Sequence, residues 1–262
     1  MAELTGRWAV VTGASSGLGV EFARGLAERG ANLVLVARRE ERLRKLAGEL
    51  EAAHRVTARA VALDLARPDA PRELAERLAA ERIEVDVLVN NAGFGLYGPF
   101  AEIPWERERE MLSLDVLALV ELTKRFLPGM LARNRGWVLQ VASIGAFQPS
   151  PTYATYSAAK AFVLSFGEAL AYELRGSAVR VTVVSPGATR TEFLEVSGQK
   201  STFFQRVTFM DARSVAESGL RAMLRGRASV VPGLSNQIAA FSVRLLPRRV
   251  QAAIANFAMN VS

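Results

Sequence analysis

The 262-residue sequence contains no cysteine and a single histidine, His54. Without cysteine there can be no disulfides, thiolate nucleophiles or zinc–thiolate sites. One histidine excludes a His-rich metal site, and any Ser–His triad would depend on a residue set in the charged stretch Glu51-Ala-Ala-His-Arg55. That context reads as a solvated helix end, and no metal site is expected. No apolar run is long enough to cross a bilayer unaided. The segment Met1 to Arg7 lacks the apolar core and small-residue cleavage site of a signal peptide. The expected compartment is the cytoplasm. Internal repeats, low-complexity tracts and linkers are missing too, so one domain spanning 1–262 is expected.

What is present starts with charge. Lysine and arginine outnumber the acidic residues by 33 to 26, a formal +7. The arginines are interleaved with glutamates, as in Arg38-Arg-Glu-Glu-Arg-Leu-Arg-Lys45. That is the pattern of a solvated helix face, and no nucleic-acid partner is expected. Half of the residues are hydrophobic, enough for a substantial core.

Short β-type runs alternate with longer helical periodicities. The runs are Trp8 to Thr12, Asn32 to Val36, Thr57 to Leu63, Val85 to Val89, Trp137 to Val141 and Val179 to Val184, with Ala228 to Val231 as a seventh. Helical patterns cover Val20 to Arg29, Glu40 to Ala53, Arg72 to Arg82 and Tyr153 to Arg175. Near-continuous Val/Leu strands signal burial on both faces. Strand–helix alternation then implies an α/β fold, a doubly wound parallel sheet of about seven strands. In such sheets ligands bind beyond the carboxyl ends of the strands. The residues with chemical promise all fall just after a predicted strand.

The first of these is Thr12-Gly-Ala-Ser-Ser-Gly-Leu-Gly19, between the first strand and a helical pattern. Glycines permit a tight turn and let backbone N–H groups approach a pyrophosphate at a helix N-terminus. The spacing Gly-x3-Gly-x-Gly points to a Rossmann-type dinucleotide site contacted by Gly13, Ser15, Ser16, Gly17, Leu18 and Gly19. A plain strand–helix connection is the simpler alternative. After the second strand, NAD-selective enzymes place an acidic residue to accept from the adenosine ribose hydroxyls. Here Ala37 is followed by Arg38 and Arg39. Guanidinium forks suit a 2′-phosphate, so NADP(H) is the expected cofactor, with Arg38 the favoured contact. Otherwise the two arginines merely open a charged helix. Asp64 and Leu65, after the third strand, are candidates for the adenine. Asn90, Ala92 and Gly93, after the fourth, supply small residues where backbone must pass close to the cofactor.

The fifth strand ends at Ser143, and thirteen positions later comes Tyr156-Ser-Ala-Ala-Lys160. Residues four apart share a helix face, so Tyr156 and Lys160 can point at one spot. A phenol normally titrates near pH ~10. A nearby ammonium and an oxidised nicotinamide would both favour the phenolate. Ser143 would hydrogen-bond a substrate oxygen as charge builds on it.

In these features the sequence resembles the short-chain dehydrogenase/reductases over nearly its whole length, including Pro186-Gly-Ala-Thr-Arg-Thr191. The resemblance implies that the tyrosine gives or takes the proton, while the lysine holds the nicotinamide ribose and lowers the tyrosine pKa. It also implies that the serine steadies the substrate. Pro186, Gly187, Thr189 and Thr191 would contact the nicotinamide end, and Arg38 matches the position many NADP-preferring members use. One departure stands out. Where the family often carries asparagine, 28 residues before the serine, this chain has Asp115. A carboxylate there would partly cancel the ammonium's effect on Tyr156, keep a water chain as an acceptor, or cap a kinked backbone. Tyr153 is followed four residues later by Ser157, not lysine, and is assigned to the pocket wall.

The resemblance implies that the segment 192–212 is a substrate lid. Phe193, Phe203, Phe204 and Phe209, with Phe94, Leu96 and Tyr97, suggest an apolar pocket; core or subunit packing is the alternative. The 236–262 tail mixes Phe241, Val243, Leu245 and Leu246 with Arg244, Arg248 and Arg249. Such a basic amphipathic stretch can touch a membrane weakly, cover the pocket or join a partner subunit. The expected activity is hydride transfer between NADP(H) and a carbonyl/alcohol pair, reducing an apolar ketone or aldehyde. The resemblance implies a homodimer or homotetramer through helices around Trp105–Leu131 and Tyr153–Arg175. A cofactor-binding scaffold without turnover would have no need of Tyr156. A sugar-nucleotide epimerase would require a larger C-terminal domain.

Overall fold

A computed structural model describes residues 3–199 and 209–260. Seven strands form one parallel sheet: β1 (Trp8–Thr12), β2 (Asn32–Ala37), β3 (Ala58–Ala62), β4 (Val85–Asn90), β5 (Gly136–Val141), β6 (Val179–Val184) and the short β7 (Ser229–Val230). Their order is β3-β2-β1-β4-β5-β6-β7, the doubly wound arrangement expected from the alternation. Strand β4 is buried at every position, as a Val/Leu run covered on both faces must be. Between β1 and β4 the winding reverses, which opens a crevice at the carboxyl ends of those strands.

Helices α1 (Gly17–Glu28), α2 (Glu40–His54) and, later in the chain, α8 (Ala212–Leu224) cover one face. Their Phe22, Leu26, Leu43, Leu220 and Met223 pack on Val11, Leu33 and Val89. The other face carries α3 (Ala70–Ala80), α5 (Leu119–Ala132) and α6 (Ala154–Glu173). Leu74, Leu78, Leu122 and Met130 meet Val10, Leu88 and Val138 there. The short α4 (Trp105–Leu112) leads into α5, α7 (Phe193–Ser197) follows β6, and α9 (Leu234–Ser242) and α10 (Arg248–Asn260) close the described chain.

Two departures from the sequence reading bear on function. Helix α1 starts at Gly17, ahead of Val20, so the last two glycines of the turn lie in its first turn. The Trp105–Leu131 stretch is continuous but not uniform: a π-helical turn, Ser113–Ala118, joins α4 to α5. Wide turns of this kind gather at functional sites, and this one carries Asp115, fully buried.

Helix α6 approaches β6 through Gly167. A Cβ there would lie 2.3 Å from Val183 Cγ2. Helix propensity alone predicts that Gly167→Ala stabilises the protein by about 1 kcal/mol. The contact predicts the opposite sign, a net loss of roughly 1–2 kcal/mol from overpacking, partly recovered by adding Val183→Ala. Urea unfolding of the single and double variants decides between the two.

Candidate active site

The glycine turn after β1 is built for close approach. Gly13 and Gly17 have φ of +66° and +54°, a region that L side chains avoid. A Cβ on Gly19 would sit 2.1 Å from the Gly13 carbonyl oxygen. Ser16 opens α1 without a side-chain capping bond, and no acidic residue occupies the first turn. The first-turn N–H groups and the helix dipole therefore point at the crevice. These features fit the diphosphate of a dinucleotide.

Thr12 and Asn91 fasten this turn to the end of β4. The Thr12 hydroxyl donates to the Val89 carbonyl at 3.2 Å and accepts from the N–H groups of Asn91 and Ala92 at 3.0 and 2.9 Å. The Asn91 amide donates to the Thr12 carbonyl at 2.9 Å. Both lie in or beside the motifs read from the sequence, but a strand-end threonine and the second of two asparagines do not by themselves reveal this fastening role. Asn90, which was, turns its amide inward, donating to Thr123 Oγ1 and Gln140 Oε1 at 3.0 Å each. Only its backbone can face the crevice. Asp64 accepts from the Ala66 N–H at 3.1 Å, and Leu65 is buried in the core.

At the end of β2 the two arginines diverge. Arg38 reaches Glu110 at 3.2 Å and is well exposed. Arg39 donates to the Ser15 hydroxyl of the glycine turn at 3.1 Å and to Glu192 at 2.8 Å. Arg42, one helical step on, holds the other oxygen of Glu192 at 2.6 Å. Arg42 and Arg39 together hold the Glu192 carboxyl down to about 2. Arg42 and Glu192 are functional candidates that the linear spacing did not bring together.

The second constellation lies where β4, β5, α6 and the π-helical turn meet. Lys160 Nζ is 2.9 Å from Asp115 Oδ2 and donates to the Val141 carbonyl at 3.2 Å. Asp115 Oδ1 accepts from the Phe94 N–H at 3.0 Å. A Cβ on Gly93 would meet that carboxylate at 2.8 Å, so the glycine clears its path. The lysine ammonium stands 5.7 Å from the centroid of the Tyr156 ring. The hydroxyl of half-buried Tyr156 hydrogen-bonds with Ser143, and Ser143 Oγ also accepts from the Gly145 N–H at 3.1 Å. Ser143, Tyr156, Lys160 and Asp115 are thus gathered at one place. Asp115 pairs directly with the lysine, and its other oxygen takes the Phe94 N–H of the loop after β4, not the kinked helix backbone.

This pairing sets the electrostatics. Burial pushes Tyr156 above its ordinary value, the Asp115 charge adds to that, and the bond with Ser143 opposes both. Burial likewise raises Asp115, against the charge of Lys160 and its hydrogen bonds from Lys160 and Phe94.

Beyond Tyr156 the walls are aromatic. Tyr97, Tyr153, Tyr156 and Phe193 form a chain of rings with centroids 5.4 to 5.6 Å apart. Tyr153 is buried, its hydroxyl 3.0 Å from Ser197 Oγ and 2.9 Å from Gln199 Oε1. Phe94 lies beneath the Arg107 guanidinium at 4.9 Å. Phe203 and Phe204 fall outside the described residues, as does 200–208 of the expected lid. The Thr191 methyl covers Gly17, 3.0 Å from where its Cβ would be, which draws the start of that segment over the glycine turn. Thr189 donates to the Gly187 carbonyl at 3.0 Å. Asn236, another residue the sequence did not flag, presses its amide against Gly187 and donates to the Pro232 carbonyl at 2.9 Å.

Residues 7–202 match the sequence profile of the short chain dehydrogenases. An uncharacterized oxidoreductase of Myxococcus xanthus (strain DK1622) is 37% identical over 230 residues, 88% of each chain. A very-long-chain 3-oxoacyl-CoA reductase of Phaeosphaeria nodorum is 36% identical over 184 residues, 68% of this chain and 54% of that protein. The chain therefore spans about half the length of that fungal relative. Among solved structures, the short-chain dehydrogenase from Sphingobium yanoikuyae in complex with NADPH superposes with a TM-score of 0.82 at 31% identity, covering 91% of this chain and 93% of that one.

Proposed function

The chain belongs to the short-chain dehydrogenase/reductase family of oxidoreductases acting on CH–OH and C=O groups, and from that premise we propose that it reduces an apolar ketone or aldehyde with NADPH through Ser143, Tyr156 and Lys160. The observation that carries this reading is the convergence of three side chains: the Tyr156 hydroxyl is joined to Ser143, and the Lys160 ammonium, anchored on Asp115 and the Val141 carbonyl, stands 5.7 Å from the tyrosine ring. A phenol kept protonated is a proton donor, the role that carbonyl reduction requires.

The bound nicotinamide would supply the hydride. Negative charge developing on a substrate carbonyl oxygen would be met by the Ser143 and Tyr156 hydroxyls as donors. Tyr156 then gives up its proton, and the resulting phenolate is stabilised by the nearby Lys160 ammonium. Lys160 is held by Asp115 and the Val141 carbonyl, so the lysine is fixed in place while part of its charge is neutralised. Asp115 is thus a positioning residue acting through Lys160.

NADP(H) preference is supported by Ala37 where an acidic residue would select NAD, and by Arg38, Arg39 and Arg42 beside it. Gly13 to Gly19 would receive the diphosphate, Asp64 and Leu65 would flank the adenine, and Asn90 to Gly93 would line the cofactor through backbone. Pro186, Gly187, Thr189 and Thr191 would face the nicotinamide end. The rings of Tyr97, Tyr153 and Phe193 favour an apolar substrate under a 192–212 lid. The whole chain is read as one catalytic domain of a cytoplasmic enzyme. Exposed Trp105, Leu117, Phe162 and Tyr172 on α4 to α6 support a homo-oligomer.

A panel of graded-chain ketones and aldehydes with NADPH and NADH tests this reading. Tyr156→Phe should lose turnover by at least roughly 100-fold, the scale of general acid catalysis, while NADPH binding by fluorescence is retained. Arg39→Ala with Arg42→Ala should weaken NADPH binding without affecting NADH. Unchanged turnover in the phenylalanine variant would falsify the mechanism.

Asp115 gives a second test. Alcohol oxidation needs the phenolate as proton acceptor, so a raised tyrosine pKa places its optimum on the alkaline side. Asp115→Asn removes the negative charge that raises Tyr156 and frees the full charge of Lys160. Both effects favour the phenolate, so the rising limb of the oxidation profile should move to lower pH. A limb that stays where it is in wild type removes Asp115 from the account.

A further inference from the structure

The C-terminal helices are amphipathic in the wrong sense for a surface that meets only water. The large apolar residues of α9, Leu234, Ile238 and Phe241, are exposed, as are Val250, Ile254 and Phe257 of α10. Each set runs i, i+4, i+7, one stripe along one face. The positions turned toward the protein are small or polar: Asn236 and Ala240 in α9, Gln251 and Ala255 in α10. Ordinary burial would reverse this. Such stripes in two consecutive helices mark an interaction surface, not scattered exposure.

Charge says what covers it. Glu217 is the last acidic residue; residues 218–262 hold six arginines and no lysine, aspartate or glutamate. That segment carries +6 of the chain's formal +7. Arg244, Arg248 and Arg249, in the link between the two helices and at the start of the second, stand exposed, with no carboxylate partner among the described residues. A second copy docking by a twofold axis would oppose this patch to itself, arginine against arginine with no acid to answer. Anionic lipid headgroups complement it, with the stripes entering the acyl boundary. No described helix is long and apolar enough to span a membrane, so contact would be with its surface.

The geometry points to a docking surface for an anionic lipid bilayer, formed by the exposed apolar stripes of α9 and α10 and the arginines between them. The same helices rest on the active-site loops from their inner side. Gln199, which accepts from Tyr153, reaches the Met259 carbonyl at 3.5 Å, and Asn236 packs on Gly187. Docking would set the pocket beside the bilayer, where apolar carbonyl compounds concentrate. This inference does not depend on the proposed catalytic roles.

Co-sedimentation of the full chain with phosphatidylcholine vesicles, with and without phosphatidylglycerol, tests it. Binding should require phosphatidylglycerol and fall steeply with salt. Replacing Arg244, Arg248 and Arg249 by serine should weaken it on the order of a hundredfold, about fivefold per charge. Phe241→Ser with Phe257→Ser should abolish it while the circular dichroism spectrum stays native. Absence of vesicle binding, or binding indifferent to both sets of substitutions, overturns the inference. So does a wild-type dimer that never partitions to vesicles and becomes monomeric in the serine variants, which would assign the stripes to a second copy.

Discussion

The arrangement depends on one buried carboxylate. Asp115 lies on the π-helical turn between α4 and α5, and its two oxygens take different partners: the Lys160 ammonium from α6, and the Phe94 N–H from the loop after β4. Three segments distant in sequence are tied there by one side chain. A charge taken out of water this completely is tolerable only when paired and hydrogen-bonded. Gly93 has no side chain because the carboxylate needs its space. Lys160 can stay buried one turn from Tyr156 because a counter-charge already waits beside it.

That compensation has an electrostatic consequence for the phenol. An unpaired ammonium would draw Tyr156 toward its phenolate; a paired one draws less, and the carboxylate itself pushes the other way. With burial acting in the same direction, the hydroxyl is kept as a donor. The same economy of charge recurs at the far end of the crevice, where Glu192 bridges Arg39 and Arg42. Because Glu192 directly precedes α7, the arginines suited to a phosphate are linked to the segment that begins the lid.

Much of this was legible in the linear sequence, for identifiable reasons. Continuous Val/Leu strands placed the sheet, since period and burial are written in residue type. The glycine turn and the Tyr156/Lys160 pair could be read because their chemistry depends on local spacing. What could not be read depends on partners brought together by the fold. A periodic pattern across Trp105–Leu131 predicts helix but not a π-helical turn, which differs by one residue in register. Spacing favoured Arg38 as the phosphate contact, yet it is Arg39 that Ser15 and Glu192 draw to the glycine turn. Asn90 looked like a cofactor contact until Thr123 and Gln140 turned its amide inward. The tail's helical period showed an apolar face, yet period alone does not say whether that face points in or out.

The state of the Tyr156 hydroxyl is the most direct point of test. Carbon-13 labelling at the tyrosine Cζ, with Tyr156→Phe to assign the resonance, reports its ionisation across a pH titration of the free protein. The account predicts a signal at the phenol position through neutral and mildly alkaline pH. A signal already at the phenolate position at neutral pH would contradict it, for the buried carboxylate would then not be governing the proton.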